Sequence, residues 1–117
     1  MIYYTDMLNA PYEKYGNCYG LIVECCRRAG TPLKNPFEKF HKMAAGAEIP
    51  FLPGLNIKEI PAPKAGAIVE CLDGNNLHVG FLLTDILVLH STRRAGVKTT
   101  HIAALRPIKY YEVTNEN

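Results

Sequence analysis

Between residues 18 and 29, apolar side chains fall at Cys18, Leu21, Ile22, Cys25 and Cys26, a spacing that lines one side of an α-helix. Glu24, Arg27 and Arg28 take the opposite side. Asn17 is placed to cap the first turn, and Gly30 followed by Pro32 closes the last, so the pattern predicts a helix over 18–29. A second helix is predicted over 36–45. Asn35 caps it, Pro36 takes the first position, Glu38 completes a pattern like a capping box, and Phe37, Phe40, His41 and Ala44 form its buried stripe. From 48 to 66, Pro50, Pro53, Gly54, Pro61, Pro63 and Gly66 interrupt any periodicity, and the stretch reads as an ordered, irregular connection.

Beyond residue 66 the pattern changes to strands. Segments 67–71, 77–83, 86–91, 97–102 and 105–113 are rich in Val, Ile, Leu and Tyr, with turn residues at Asp73-Gly74-Asn75, Thr84-Asp85 and Ala95-Gly96. Short connections make neighbouring strands antiparallel. Helices followed by a run of strands predict an α+β fold. A chain of 117 residues holds one core and not two, so a single domain over 1–117 is expected, with 114–117 frayed.

Composition narrows the function classes. Hydrophobic residues make up 48% and charged residues 21%, the balance of an ordinary globular protein. The net charge is +2 and the basic residues are dispersed, the closest pairs being Arg27-Arg28 and Arg93-Arg94. Nucleic-acid binding needs a concentrated basic face and is not expected. No apolar run has the length of a membrane span. Met1-Ile2-Tyr3-Tyr4-Thr5-Asp6 has neither a basic nor an apolar leader pattern, so synthesis in the cytoplasm without a secretory signal is expected. The cysteines, Cys18, Cys25, Cys26 and Cys71, contain no C-x-x-C and do not resemble a disulfide framework, so reduced thiols are expected.

Three residues carry candidate chemistry. Cys18 follows the helix cap, where the helix dipole and free N–H groups lower a thiol pKa; it is either a nucleophile or a small core residue on the apolar stripe. His78 interrupts an otherwise apolar strand, as a satisfied core residue or as a base, and His90 ends the next strand. Register decides whether the histidines meet. A two-residue turn at Thr84-Asp85 sets His78 opposite Ser91 and turns His90 away. A three-residue loop at Leu83-Thr84-Asp85 sets His78 directly opposite His90. No cofactor is called for. A metal site built from Cys18, His78 and His90 lacks a fourth ligand, so none is expected.

Tyr15-Gly16-Asn17-Cys18-Tyr19-Gly20-Leu21-Ile22 resembles the nucleophile motif of NlpC/P60 cysteine peptidases, usually Asp-Cys-Ser-Gly-Leu-Val, and is closer still to the phage-encoded members with an aromatic after the cysteine. Arg27-Arg28-Ala29-Gly30-Thr31-Pro32-Leu33 is similar to the stretch that follows. Ala65-Gly66-Ala67-Ile68-Val69 is similar to the family's Gly-Asp-Ile/Leu-Val strand, His78-Val79-Gly80-Phe81 to its His-Val-Gly-Ile strand, and Val88-Leu89-His90-Ser91 with Gly96-Val97 to its Ile-His-Ala…Gly-Val segment. The matches keep family order from Pro11 to Leu105. Asn17 replaces the usual Asp, Tyr19 the usual Ser, and Ala67 the Asp of the Gly-Asp strand.

The resemblance implies a minimal papain-like domain, with a helix carrying Cys18 packed on an antiparallel sheet carrying the histidines. It implies Cys18 as nucleophile, His78 as general base, His90 as the residue orienting that base, and Tyr12 near the oxyanion, with Asn17 capping the helix. It further implies hydrolysis of an amide bond in a peptidoglycan stem peptide. The phage-like motif and the expected absence of a secretion signal imply a phage or prophage tail-tip component. Segment 48–66, with Ile49, Phe51, Leu52, Leu55 and Ile57, is then the expected docking surface for tail-tip or hub proteins, or alternatively the cover of a core edge. The competing expectations are a structural tail-assembly protein without activity, and an acyltransferase or amidase using the same three residues.

Overall fold

The computed structural model describes residues 2–15, 18–33, 55–73 and 76–114. The helix expected over 36–45 and the cap at Asn17 lie outside the described residues. Among the described residues one α-helix, α1 (Cys18–Arg28), packs on a six-stranded sheet of β1 (Ile57–Ile60), β2 (Ile68–Asp73), β3 (Asn76–Leu82), β4 (Leu87–Thr92), β5 (Gly96–His101) and β6 (Arg106–Val113). The order across the sheet is β1-β6-β2-β3-β4-β5, and every pairing is antiparallel. The fold is α+β. No helix of the described residues is long and apolar enough to cross a membrane.

The apolar stripe does what its spacing implies. Cys18, Tyr19, Leu21, Ile22, Cys25 and Cys26 are buried against Ile68, Val79, Phe81, Leu89 and Val97 of the sheet. Each fully buried aliphatic or aromatic side chain contributes roughly 1.5–3 kcal/mol. Strand alternation sends Val69, Leu82 and Val88 to the other face, where they form a second cluster with Ala67 and meet Ile60, Ile102, Leu105 and Tyr110. All four cysteines are free, buried thiols.

Strand β1 corrects the sequence reading, which treats 48–66 as wholly irregular. Its four residues pair with the C-terminal half of β6, from Ile57↔Val113 to Ile60↔Tyr110. A strand this short owes its form to a partner far along the chain, so no local pattern announces it. Thr114, the first residue of the end expected to fray, is held beside this pairing: it donates its N–H to the Asn56 carbonyl at 2.8 Å and its hydroxyl to the same oxygen at 3.2 Å, while 115–117 lie outside the described residues. Leu55 is buried and Ile57 packs half-buried against the main core, so these two cover a core edge and offer no docking surface. Ile49, Phe51 and Leu52 lie outside the described residues.

The polar side of α1 ties down the N-terminal segment. Arg28 makes a two-point contact with Asp6, at 2.7 and 2.9 Å, and also reaches Glu24 at 2.7 Å. Arg27 clamps the same Glu24 at 2.7 Å. Hydrogen bonds from Arg27, then from Arg28, outweigh partial burial and hold the Glu24 carboxyl at about 2. A folded-state pKa below the unfolded value means that stability present above the unfolded value is lost as pH falls toward the folded one. We therefore expect the wild-type melting temperature to fall steeply between about pH 5 and about pH 2.5, and Glu24→Gln to flatten that fall while lowering the value at pH 5. Thermal unfolding followed by circular dichroism checks both.

Candidate active site

The site begins where α1 begins. Cys18 is the first residue of the helix and 7% exposed. Its thiol meets the backbone N–H groups of Val79, Tyr19 and Cys18 itself, and the Arg93 guanidinium lies within electrostatic reach. Those four influences favour the thiolate. Burial opposes them and is larger, so the Cys18 thiol is pushed up rather than down. This corrects the sequence expectation of a lowered thiol pKa. The helix terminus acts in the expected direction, but desolvation of the anion outweighs it.

The hairpin β3–β4 carries the histidines. Its loop is an odd one, but placed one residue later than the three-residue alternative read from the sequence: Leu83 donates to the Leu87 carbonyl at 2.9 Å, with Thr84, Asp85 and Ile86 between them. The Thr84 hydroxyl oxygen fixes this loop by accepting from the N–H groups of Ile86 and Leu87, at 3.2 and 3.0 Å. Ladder pairs are Leu82↔Val88 and Phe81↔Leu89. Extending that register sets Gly80, not His78, across from His90, and the two histidines share a face as diagonal neighbours. They meet all the same. His78 Nε2 lies 2.9 Å from His90 Nδ1, with the rings edge to face at 72°.

Gly80 makes this diagonal possible. A Cβ there would stand 2.3 Å from Val88 Cγ1 and 3.4 Å from the His90 Cβ. Both positions are occupied by side chains of a packed sheet, and only glycine lets His90 lean toward His78. His90 is 4% exposed, and its Nε2 lies 2.7 Å from the Thr100 hydroxyl on β5. A hydrogen-bonded run therefore crosses three strands, His78–His90–Thr100.

Pleating sends Val79 toward α1 and His78 to the other face. The thiol and the imidazole pair thus approach the same stretch of β3 from two sides. Among the described contacts of Cys18, the Val79 N–H is the β3 group that meets the thiol. Tyr12 lies in a 3-10 turn, Tyr12–Tyr15, packed beside α1, and the Arg93 guanidinium stands over its ring at 5.4 Å. Asn17 lies outside the described residues. His101, the remaining histidine of the strand region, is exposed and caps the short 3-10 turn after β5 by accepting from Ala103 N–H at 3.0 Å.

Sequence reasoning missed three contributors. Thr100 carries no signal of its own, because one threonine in a strand is unexceptional. Gly20 does carry one, since glycine inside a first helical turn is costly and implies a packing reason. That reason is the Tyr15 carbonyl, whose oxygen would stand 1.6 Å from a Cβ at position 20. Glu70 is the third. It sits on β2 opposite Val79, 6% exposed, with Oε2 lacking a hydrogen-bond partner, and burial pushes its carboxyl up while Lys109 on β6 pulls it down.

Comparison with family models and with curated proteins gives no match. The resemblance to NlpC/P60 peptidases rests on the motifs quoted above.

Proposed function

We propose that this chain is a cysteine endopeptidase of minimal papain-like, NlpC/P60 type that hydrolyses an amide bond of peptidoglycan stem peptides. The observation that carries the reading is the histidine pair, hydrogen-bonded at 2.9 Å and anchored to Thr100, beside the β3 segment whose N–H meets a thiol at the start of a helix. In this reading His78 is the base and His90 orients it, and proton transfer from Cys18 requires the thiol and the His78 ring to be brought to one side of β3.

In this mechanism the resting thiol is protonated, because burial raises its pKa. His78 takes the proton as the sulfur attacks the substrate carbonyl, so base catalysis accompanies bond formation rather than preceding it. The N–H of Cys18, aided by the Tyr12 hydroxyl, stabilises the oxyanion. The imidazolium then protonates the leaving amine, and water, deprotonated by His78, hydrolyses the thioester. His90 holds the ring and tautomer of His78. The setting we propose is a phage or prophage tail tip, and detection of the chain in purified virions tests it.

Incubation of the full chain with purified peptidoglycan, followed by mass spectrometry of the soluble fraction, tests the activity. The expected products are fragments with a new amine and a new carboxyl at one stem-peptide amide. A second reading, an inactive structural protein with this fold, draws on the same thiol: it is buried and its ionisation is disfavoured. No fragment release above a boiled control would favour that reading and sink the first.

A further inference from the structure

We propose that Arg93 is a specificity-determining residue of this site and binds a carboxylate on a residue flanking the scissile amide, so that the substrate is an acidic peptide. The inference rests on the peptidase reading above. Arg93 lies in the turn between β4 and β5 and is exposed. Its guanidinium carbon stands 5.4 Å from the centre of the Tyr12 ring. Among the described residues, the ion pairs belong to Arg27, Arg28, Lys58, Lys64 and Lys109, and no carboxylate is paired with Arg93.

Backbone contacts fix where this cation stands. The Thr92 hydroxyl accepts from the Ala95 N–H at 3.0 Å and donates to the Gly96 carbonyl at 3.1 Å, which closes the turn that carries Arg93. The segment before Tyr12 docks on the same turn. Val97 donates to the Ala10 carbonyl at 2.9 Å, and Asn9 donates to the Val97 carbonyl at 2.8 Å. A Cβ at Gly96 would stand 2.2 Å from the Ala10 oxygen, so only glycine lets the two stretches come this close. On its far side, the Tyr12–Tyr15 turn sets the Tyr15 carbonyl against Gly20, in the helical turn that Cys18 begins. A continuous set of contacts thus runs from Arg93 through Tyr12–Tyr15 to the start of α1, and the guanidinium lies within electrostatic reach of the Cys18 thiol.

Chemistry chooses the ligand. The Tyr12 ring supplies no oxygen acceptor to the guanidinium, so the N–H donors of Arg93 are left for solvent or a ligand. A planar guanidinium pairs at two points with a carboxylate or a phosphate, and the anion that a peptide carries is a carboxylate. Contact with the ring orders a long side chain before the ligand arrives, which lowers the entropy lost on binding.

Two measurements on the full chain test this. The first needs no peptidase activity: alkylation of Cys18 by iodoacetate and by iodoacetamide at mildly alkaline pH, followed by mass spectrometry of the Cys18 peptide. Cys18 is 7% exposed, whereas Cys25, Cys26 and Cys71 are at most 1% exposed, so the reagents distinguish it. The ratio of the two rates cancels any change in thiol ionisation and reports the preference for a carboxylate. It should fall roughly three- to tenfold in Arg93→Gln and stay within about twofold of the wild type in Arg93→Lys and in Arg94→Gln. The second measurement uses two muropeptides that differ only in a free carboxyl or a carboxamide beside the cleaved amide. The wild type should cleave the acid with roughly ten- to a hundredfold higher kcat/KM, and Arg93→Gln should erase the difference by lowering the value for the acid alone. An unchanged alkylation ratio in a folded Arg93→Gln overturns the proposal and leaves the arginine as a pin for its turn. Equal cleavage of the two muropeptides by the wild type overturns it as well, while the peptidase reading stands. A shifted ratio in a chain that releases no fragments supports the carboxylate site at Arg93 and removes the peptidase reading.

Discussion

Cys18→Ala is expected to abolish release of stem-peptide fragments while the protein keeps its fold. Losing the nucleophile removes the covalent route altogether, and comparable nucleophile deletions cost roughly a million-fold. The structural cost is small by comparison. Cys18 loses one buried sulfur from the edge of the α1–sheet core, worth about 1 kcal/mol. Cys25→Ala and Cys26→Ala make the contrast. Both thiols are fully buried in the same core, and burial pushes each up, Cys26 to about 12, so neither is a nucleophile at neutral pH. These variants should melt several degrees lower and hydrolyse peptidoglycan at the wild-type rate per folded molecule. Fragment release together with melting curves for the three variants decides the matter. Hydrolysis by Cys18→Ala would remove the proposed mechanism.

Gly20→Ala is the second large effect. Alanine is the better helix former by about 1 kcal/mol, so an isolated helix would gain from the change. The tertiary structure reverses the sign. A Cβ at position 20 would stand 1.6 Å from the Tyr15 carbonyl oxygen and 2.7 Å from its carbon, and both are backbone atoms that no rotamer change can move aside. Either the Tyr12–Tyr15 turn lifts away or the first turn of α1 unwinds. We expect a loss of about 3 kcal/mol or more. The melting temperature should fall by about 10 °C or more. Activity should fall further than the folded fraction does, because the Tyr12–Tyr15 turn carries the proposed oxyanion residue and the first turn of α1 carries the nucleophile. A melting temperature equal to or above the wild type would contradict this packing.

Helix α1 was legible because its information is local. The stripe from Cys18 to Cys26 repeats within three turns, and the Gly30-Thr31-Pro32 stop lies beside it. The four strands from β2 to β5 were legible for a similar reason, since each follows its neighbour through a short turn, although the β3–β4 turn left the register open. Strand β1 was not. It exists through pairing with β6 some fifty residues later, between Ile57↔Val113 and Ile60↔Tyr110. The chain between 34 and 54 contributes no comparison, because the helix expected there lies outside the described residues.

The candidate site divides in the same way. Residue identities alone brought Cys18, His78 and His90 forward, because helix termini and strand histidines are features of a few neighbouring positions; Tyr12 entered only through the family resemblance. Whether the histidines met depended on one residue of loop placement, which two alternating strands cannot specify by themselves. The Thr84 hydroxyl settled it, and Gly80 left room for the diagonal contact. The thiol pKa went against the sequence reading because its direction is a balance between a local dipole and burial. The dipole is written in the order of residues; burial exists only once the sheet has closed over α1. Thr100 became part of the site for the same reason, since only the folded sheet brings the third strand of that run beside His90.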